Sequence, residues 1–100
     1  SKLATSLIAL RLVERGAVAL DASVAALAPD LGLPPTHPDA APIRLAHLLE
    51  HTAGLAQGNF ADFADHGVDR TPAAYLARAG GLRPRWPPGL LFSYSNAGHT

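Results

Sequence analysis

Pro87-Pro88-Gly89-Leu90-Leu91-Phe92-Ser93-Tyr94-Ser95-Asn96-Ala97-Gly98, residues 87–98, is the stretch from which the chain is best read. Trp86 and the Pro-Pro-Gly that follows form a rigid turn, because proline fixes its own φ and glycine accepts conformations other residues resist. The turn delivers Tyr94 on an extended segment. Tyr94 and Asn96 are two positions apart, so on such a segment they point to the same side, with Ser95 spacing them. A phenol can take or give a proton, and a carboxamide can hold a carbonyl or amide in place. Lys2, near the other end of the sequence, is a third side chain able to share a proton. These three side-chain types can assist a serine nucleophile without a histidine. Each also has a plainer reading: Tyr94 as an aromatic anchor, Asn96 as the end of a turn with Gly98, and Lys2 as a solvated terminal residue.

Composition narrows the field. One hundred residues make at most one small domain, which buries roughly two thirds of the surface it exposes when unfolded. With 48% apolar residues, a core can form. Net charge is zero with the histidines neutral, and no basic run occurs, which argues against a nucleic-acid partner. The absence of cysteine excludes disulfides and thiol chemistry and leaves the compartment open. Lys2 followed by the apolar stretch Leu3 to Leu10, with Ala17-Val18-Ala19 beyond it, imitates a signal peptide. Arg11, Glu14 and Arg15 interrupt the apolar region before that site, against the pattern. No run reaches the roughly 18 apolar residues of a membrane span.

Periodicity places the elements. Leu3, Leu7, Leu10 and Glu14 lie on one helical stripe, and Ile8, Leu12 and Val13 widen the apolar face. Residues 2–15 therefore read as a largely buried helix stopped by Gly16, with Lys2 in its first turn. Asp21 is placed to cap a short helix over 22–27 that Pro29 ends. Residues 32–42, with four prolines, read as a surface loop. Pro42 or Ile43 to Glu50 reads as a second clear helix with Ile43, Leu45, Leu48 and Leu49 facing inward. Gly54 and Gly58 mark 52–59 as a turn-rich connection, and 60–66 as a short helix. Thr71 is a good N-cap, with Pro72 at the first helical position launching 73–79 and Gly80-Gly81 stopping it.

Taken in order, these segments resemble the serine β-lactamase family, in the branch of class C β-lactamases, D-alanyl-D-alanine carboxypeptidases and related esterases. Ser1-Lys2 looks like the last two positions of a Ser-x-Ser-Lys nucleophile motif. Leu10-Arg11-Leu12-Val13-Glu14-Arg15-Gly16 resembles the end of the helix carrying that motif. Val18-Ala19-Leu20-Asp21, with Val24 and Leu27-Ala28-Pro29, is similar to the segment after it. Ile43-Arg44 and His47-Leu48-Leu49-Glu50-His51-Thr52-Ala53-Gly54-Leu55 resemble a third block, with Ala53 where serine is common. Pro88-Gly89, Phe92, Tyr94-Ser95-Asn96 and Gly98 resemble a fourth, with His99 where an aromatic is usual. Any one block is weak; four in register are specific.

The resemblance implies an α+β domain of the β-lactamase/transpeptidase-like fold, a helical region packed on an antiparallel sheet. Residues 1–100 would then be a partial catalytic domain, mainly α-helical, expected to expose apolar surface that the remainder of the domain covers. The nucleophilic serine would lie three positions before Lys2, one helical turn away on the same face. A third motif strand and an oxyanion-hole N–H would lie beyond Thr100. Lys2 would relay the serine proton, Tyr94 would protonate the leaving group and activate water, and Asn96 would bond Lys2 and the substrate carbonyl. No cofactor is implied. The expected partner is a small-molecule or peptide substrate: a β-lactam, a D-Ala-D-Ala peptide or an ester. A periplasmic or secreted bacterial location, or a cytoplasmic esterase, fits that resemblance.

Two rivals stay open. His47-Leu48-Leu49-Glu50-His51 matches H-x-x-E-H, in which two helical histidines bind zinc and the glutamate is the base. Against it, Thr52-Ala53-Gly54 ends the helix at once, and Asp62, Asp65 and His66 are undistinguished third ligands. In the serine-hydrolase reading, His51 and Thr52 instead brace the loop beneath the site through backbone hydrogen bonds. The other rival is a non-catalytic binding member of the same fold. His37, His66 and His99 read as exposed loop residues. No carboxylate pair is placed for glycosidase chemistry and no glycine-rich phosphate loop occurs.

Overall fold

A computed structural model describes residues 1–31, 40–55, 71, 74 and 84–99. They are mainly helical, with little strand: α1 (Lys2–Glu14), α2 (Val24–Leu27), a 3-10 turn (Pro29–Leu31), α3 (Leu45–Leu49) and a second 3-10 turn (Ala97–His99). Two isolated bridges, Ser23 with Arg44 and Leu55 with Pro84, are the described β-pairings. Among the described residues no helix is long and apolar enough to cross a membrane.

The helix α1 forms because residues 3–14 hold leucine, alanine, isoleucine and charged helix formers and no glycine or proline. It stops as expected. Gly16 takes φ 73°, its N–H bonds Val13 O at 2.9 Å, and Ala17 N–H bonds Leu12 O at 3.0 Å. Those two bonds make a Schellman motif, with the left-handed residue at the position where glycine costs nothing. An exposed Arg11–Glu14 ion pair one turn apart adds little.

The expected burial of α1 is not found. No residue of it is buried, and Leu3 (74%) and Ile8 (64%) are the most open of its large side chains. The apolar positions spread around the helix, whereas the core of the described residues lies elsewhere. That core is Val24, Ile43, Ala53 and Leu55, with Leu48 packed against it.

That small core is organised by backbone pairing. Val24 N–H bonds Ile43 O at 2.9 Å and Leu45 N–H bonds Ala22 O at 3.0 Å, which brings the two segments together antiparallel and turns Val24 and Ile43 inward. Ile43 thus faces the core from extended backbone rather than from within a helix. Arg44, at φ −103° and ψ 160°, is the N-cap of α3, which begins later than the periodicity suggests. The expected cap Asp21 is also displaced. Ser23 is the N-cap of α2, and Asp21 is exposed in the turn before it. Proline does end α2, through its neighbour. Ala28, preceding Pro29, is forced out of the helical region to φ −139°, ψ 71°.

Gly54 joins the core to the 84–86 strip. Its φ is 75°, and a Cβ there would lie 2.3 Å from the carbonyl oxygen of Trp86. Arg85 N–H bonds Gly54 O at 2.8 Å, so the 53–55 strip and the 84–86 strip meet backbone to backbone. At Thr71 the expected cap is present, Ala74 N–H donating to Thr71 Oγ1 at 3.3 Å. The loop at 32–39, the connection at 56–59, the helix expected over 60–66 and most of the one over 73–79 lie outside the described residues.

Candidate active site

A second Schellman motif positions the site. At the end of α3, His51 N–H bonds Leu48 O at 3.3 Å and Thr52 N–H bonds His47 O at 2.9 Å. The left-handed position is held this time by a histidine, His51, at φ 58°. A side chain there costs roughly 1–2 kcal/mol that glycine would avoid. Strain of this kind persists only where the surroundings over-determine it.

The surroundings are the segment carrying Tyr94. His51 O accepts from Ser93 N–H at 2.8 Å, and His51 Nδ1 accepts from Ser95 N–H at 3.1 Å. Gly89 N–H donates to Thr52 O at 2.8 Å. The loop after α3 therefore clasps the 89–95 segment, which follows the proline turn, by two main-chain bonds and one to the His51 ring. The expected bracing by His51 and Thr52 takes this form, while Thr52 Oγ1 is buried without a partner among the described residues. Ser95 is buried, and its Oγ accepts from Gly98 N–H at 3.3 Å, starting the last 3-10 turn. With Ser95 turned inward, Tyr94 is exposed and Asn96 half-buried on either side of it.

The rings stack. Tyr94 and His51 lie 4.6 Å apart at 30°. His99 stacks on His51 at 4.6 Å and 27°, and Phe92 meets His51 edge-on at 5.8 Å. Lys2, at the start of α1, sets its Nζ 5.1 Å from the centroid of the Tyr94 ring. Such a separation is within cation–π range. Two of the three side chains expected to act together, Lys2 and Tyr94, are thus brought into contact from opposite ends of the sequence. Asn96 is two residues from that contact.

His99 is a correction to the sequence reading. It is no exposed loop residue but half-buried, stacked on His51, with Nε2 3.4 Å from Ser6 Oγ on α1. Its Nδ1 is buried with no partner among the described residues. Burial, then the neighbouring His51, then the Lys2 charge hold its pKa below the usual imidazole value. Burial, followed by the Lys2 charge, does the same for His51. Ser6 is the other member of this contact, and nothing in its own residue type singles it out. The available signal was that Ser6 lies one turn after Lys2 on the same helical face, and that His99 replaces an aromatic.

The zinc geometry is not met among the described residues. His51 has left the helix for the left-handed region, so it does not share a helical face with His47. His47 Nδ1 accepts the Arg44 N–H at 3.2 Å, and His51 Nδ1 is taken by Ser95. No group of three or more histidine, aspartate or glutamate residues among the described residues could hold a metal. Asp62, Asp65 and His66 lie outside them.

A family model described as Beta-lactamase matches residues 1–100. No curated protein and no solved structure matches.

Proposed function

Because the chain belongs to the beta-lactamase family and so to its serine hydrolases, we propose that it carries the proton-handling half of an acyl-transfer site. The observation that carries this is the approach of the Lys2 ammonium to the Tyr94 ring. Two side chains able to move a proton are brought side by side, the ammonium over the ring face, at the exposed end of the ring stack.

The proposed reaction has two balanced halves. A serine three positions before Lys2 attacks an amide or ester carbonyl. Its Oγ–C bond forms, the bond from that carbon to the leaving nitrogen or oxygen breaks, and the serine proton passes through Lys2 and Tyr94 to the leaving group. Water then attacks the acyl carbon: its O–C bond forms, the bond from that carbon to Oγ breaks, and the water proton passes through the same pair to Oγ, freeing the serine and the acid product. Asn96 offers an amide N–H to the substrate carbonyl and its oxygen to Lys2. A carboxamide suits an amide-bearing substrate, so β-lactams or D-Ala-D-Ala peptides are favoured over simple esters.

The rest of an α+β domain would complete the site and cover α1. Leu3, Leu7 and Ile8, with Leu90, Leu91 and Phe92, are exposed, and burying such a side chain fully is worth about 1.5–3 kcal/mol. An open apolar surface of this extent supports the view that residues 1–100 form one part of a larger domain.

Trapping tests the proposal. Full-length protein incubated with a slowly deacylated β-lactam, then digested and mass-analysed, should carry the acyl group on the residue three positions before Lys2. A residue other than serine there overturns the reading and leaves a non-catalytic member of the family, and an adduct elsewhere overturns the assigned register.

A further inference from the structure

We infer that His99, acting with His51, is a positioning residue that fastens the Tyr94 segment to α1 through Ser6, and thereby fixes where Lys2 lies over the Tyr94 ring. This rests on the proposed acyl-transfer reading for its consequence and on contacts alone for its geometry.

The contacts close a circuit. Lys2 and Ser6 stand one turn apart on one face of α1. Ser6 Oγ meets His99 Nε2 at 3.4 Å, His99 stacks on His51, His51 stacks on Tyr94, and Lys2 lies over Tyr94. No link depends on α1 being buried, and the helix is not buried. Whatever covers its outer face, the roll of α1 relative to the 94–99 segment is fixed on this side by the Ser6–His99 contact. The pin at Ser6 is one turn from the lysine whose position matters, so a roll of α1 that freed Ser6 would carry Lys2 off the ring.

The tautomers follow from the partners. His51 Nδ1 accepts Ser95 N–H, so His51 carries its proton on Nε2. His99 Nδ1 is buried without a partner among the described residues. A bare acceptor there is tolerated better than an orphaned N–H, so His99 also carries its proton on Nε2 and donates it to Ser6 Oγ. Both rings are neutral, which lets two imidazoles stack beside a lysine without charge repulsion. The aromatic usual at this position would keep the stack, and His99 adds the bond to α1. His51 accepts the strain of a left-handed residue, and its ring is the link that glycine could not provide.

The experiment uses full-length protein with two readouts. The first is the nuclear Overhauser contact between the Lys2 side chain and the Tyr94 ring, with the accompanying upfield shift of the Lys2 methylene protons. The second is kcat and KM. In Ser6→Ala and His99→Phe, which keep helix and stack, the contact should weaken, and kcat should fall by on the order of 10–10²-fold with KM little changed, since small misplacements cost that much. The double variant should be no worse than either single, because both remove one link. A parental Lys2–Tyr94 contact in both single variants, or losses that multiply in the double, overturns the inference. Should the protein prove non-catalytic, loss of the contact in the variants would still support the clip, so the two failures are distinguishable.

Discussion

Replacing His51 by glycine sets two effects against each other. The change relieves left-handed strain at φ 58°, a gain of about 1–2 kcal/mol. It removes the acceptor of the Ser95 N–H, and a buried donor left unpaired costs about 1–3 kcal/mol. It also removes two ring stacks, with Tyr94 and His99, at about 0.5–1.5 kcal/mol each. The losses win, and His51→Gly in the full-length protein should be destabilised by about 2 kcal/mol. Urea unfolding reads this as a lower midpoint at unchanged slope. His51→Asn separates the terms: asparagine tolerates the left-handed region and keeps an oxygen where Nδ1 was, so it should lie between the parent and His51→Gly. If His51→Gly instead raises the midpoint, the ring is dispensable and the motif is merely a poor helix end.

Gly16 and Gly54 give a paired test. Gly16→Ala meets open space, whereas Gly54→Ala also meets the Trp86 carbonyl. The first should cost about 1–2 kcal/mol of strain alone, the second clearly more, as seen by thermal melting of both variants. The His51–His99 stack should be acid-sensitive. Both pKa values are lowered on folding, so the stack's contribution is complete above the ordinary imidazole value of 6.5 and lost as pH falls through the lowered folded values. In His99→Phe the acid limb of a stability–pH curve should be shallower; an unchanged limb contradicts the assignment. Ile8→Ala in the full-length protein should cost about 2–5 kcal/mol if the rest of the domain covers α1. A change within about 0.5 kcal/mol would mean that the face stays open.

The ends of helices were legible in the sequence where one residue decides them. Gly16 stopped α1, Thr71 capped Ala74, and the residue before Pro29 left the helical region, each for a local steric or hydrogen-bonding reason. Competition between neighbours was not legible. Asp21 and Ser23 are both good caps, and pairing with Arg44 chose Ser23. Ile43 fits an inward helical position or an extended one equally, and the bond from Val24 N–H settled it. The apolar pattern of α1 records what a helix is suited to meet and not which part of the molecule meets it, and the described core lies around Ile43 and Leu55. At the candidate site, Tyr94, Asn96 and Lys2 are legible as candidates from their chemistry, and His51 from its motif. His99 and Ser6 escaped because each is unremarkable alone, and only the fold sets a ring from residue 99 against a hydroxyl one turn past Lys2.

The acylation step tests the central claim most directly. Single-turnover acylation of the full-length protein by a chromogenic β-lactam should be slowed by about 10²–10⁴-fold in both Lys2→Ala and Tyr94→Phe, the usual contribution of a general acid–base group. Acylation at the parental rate in both variants would contradict it, whatever the fold.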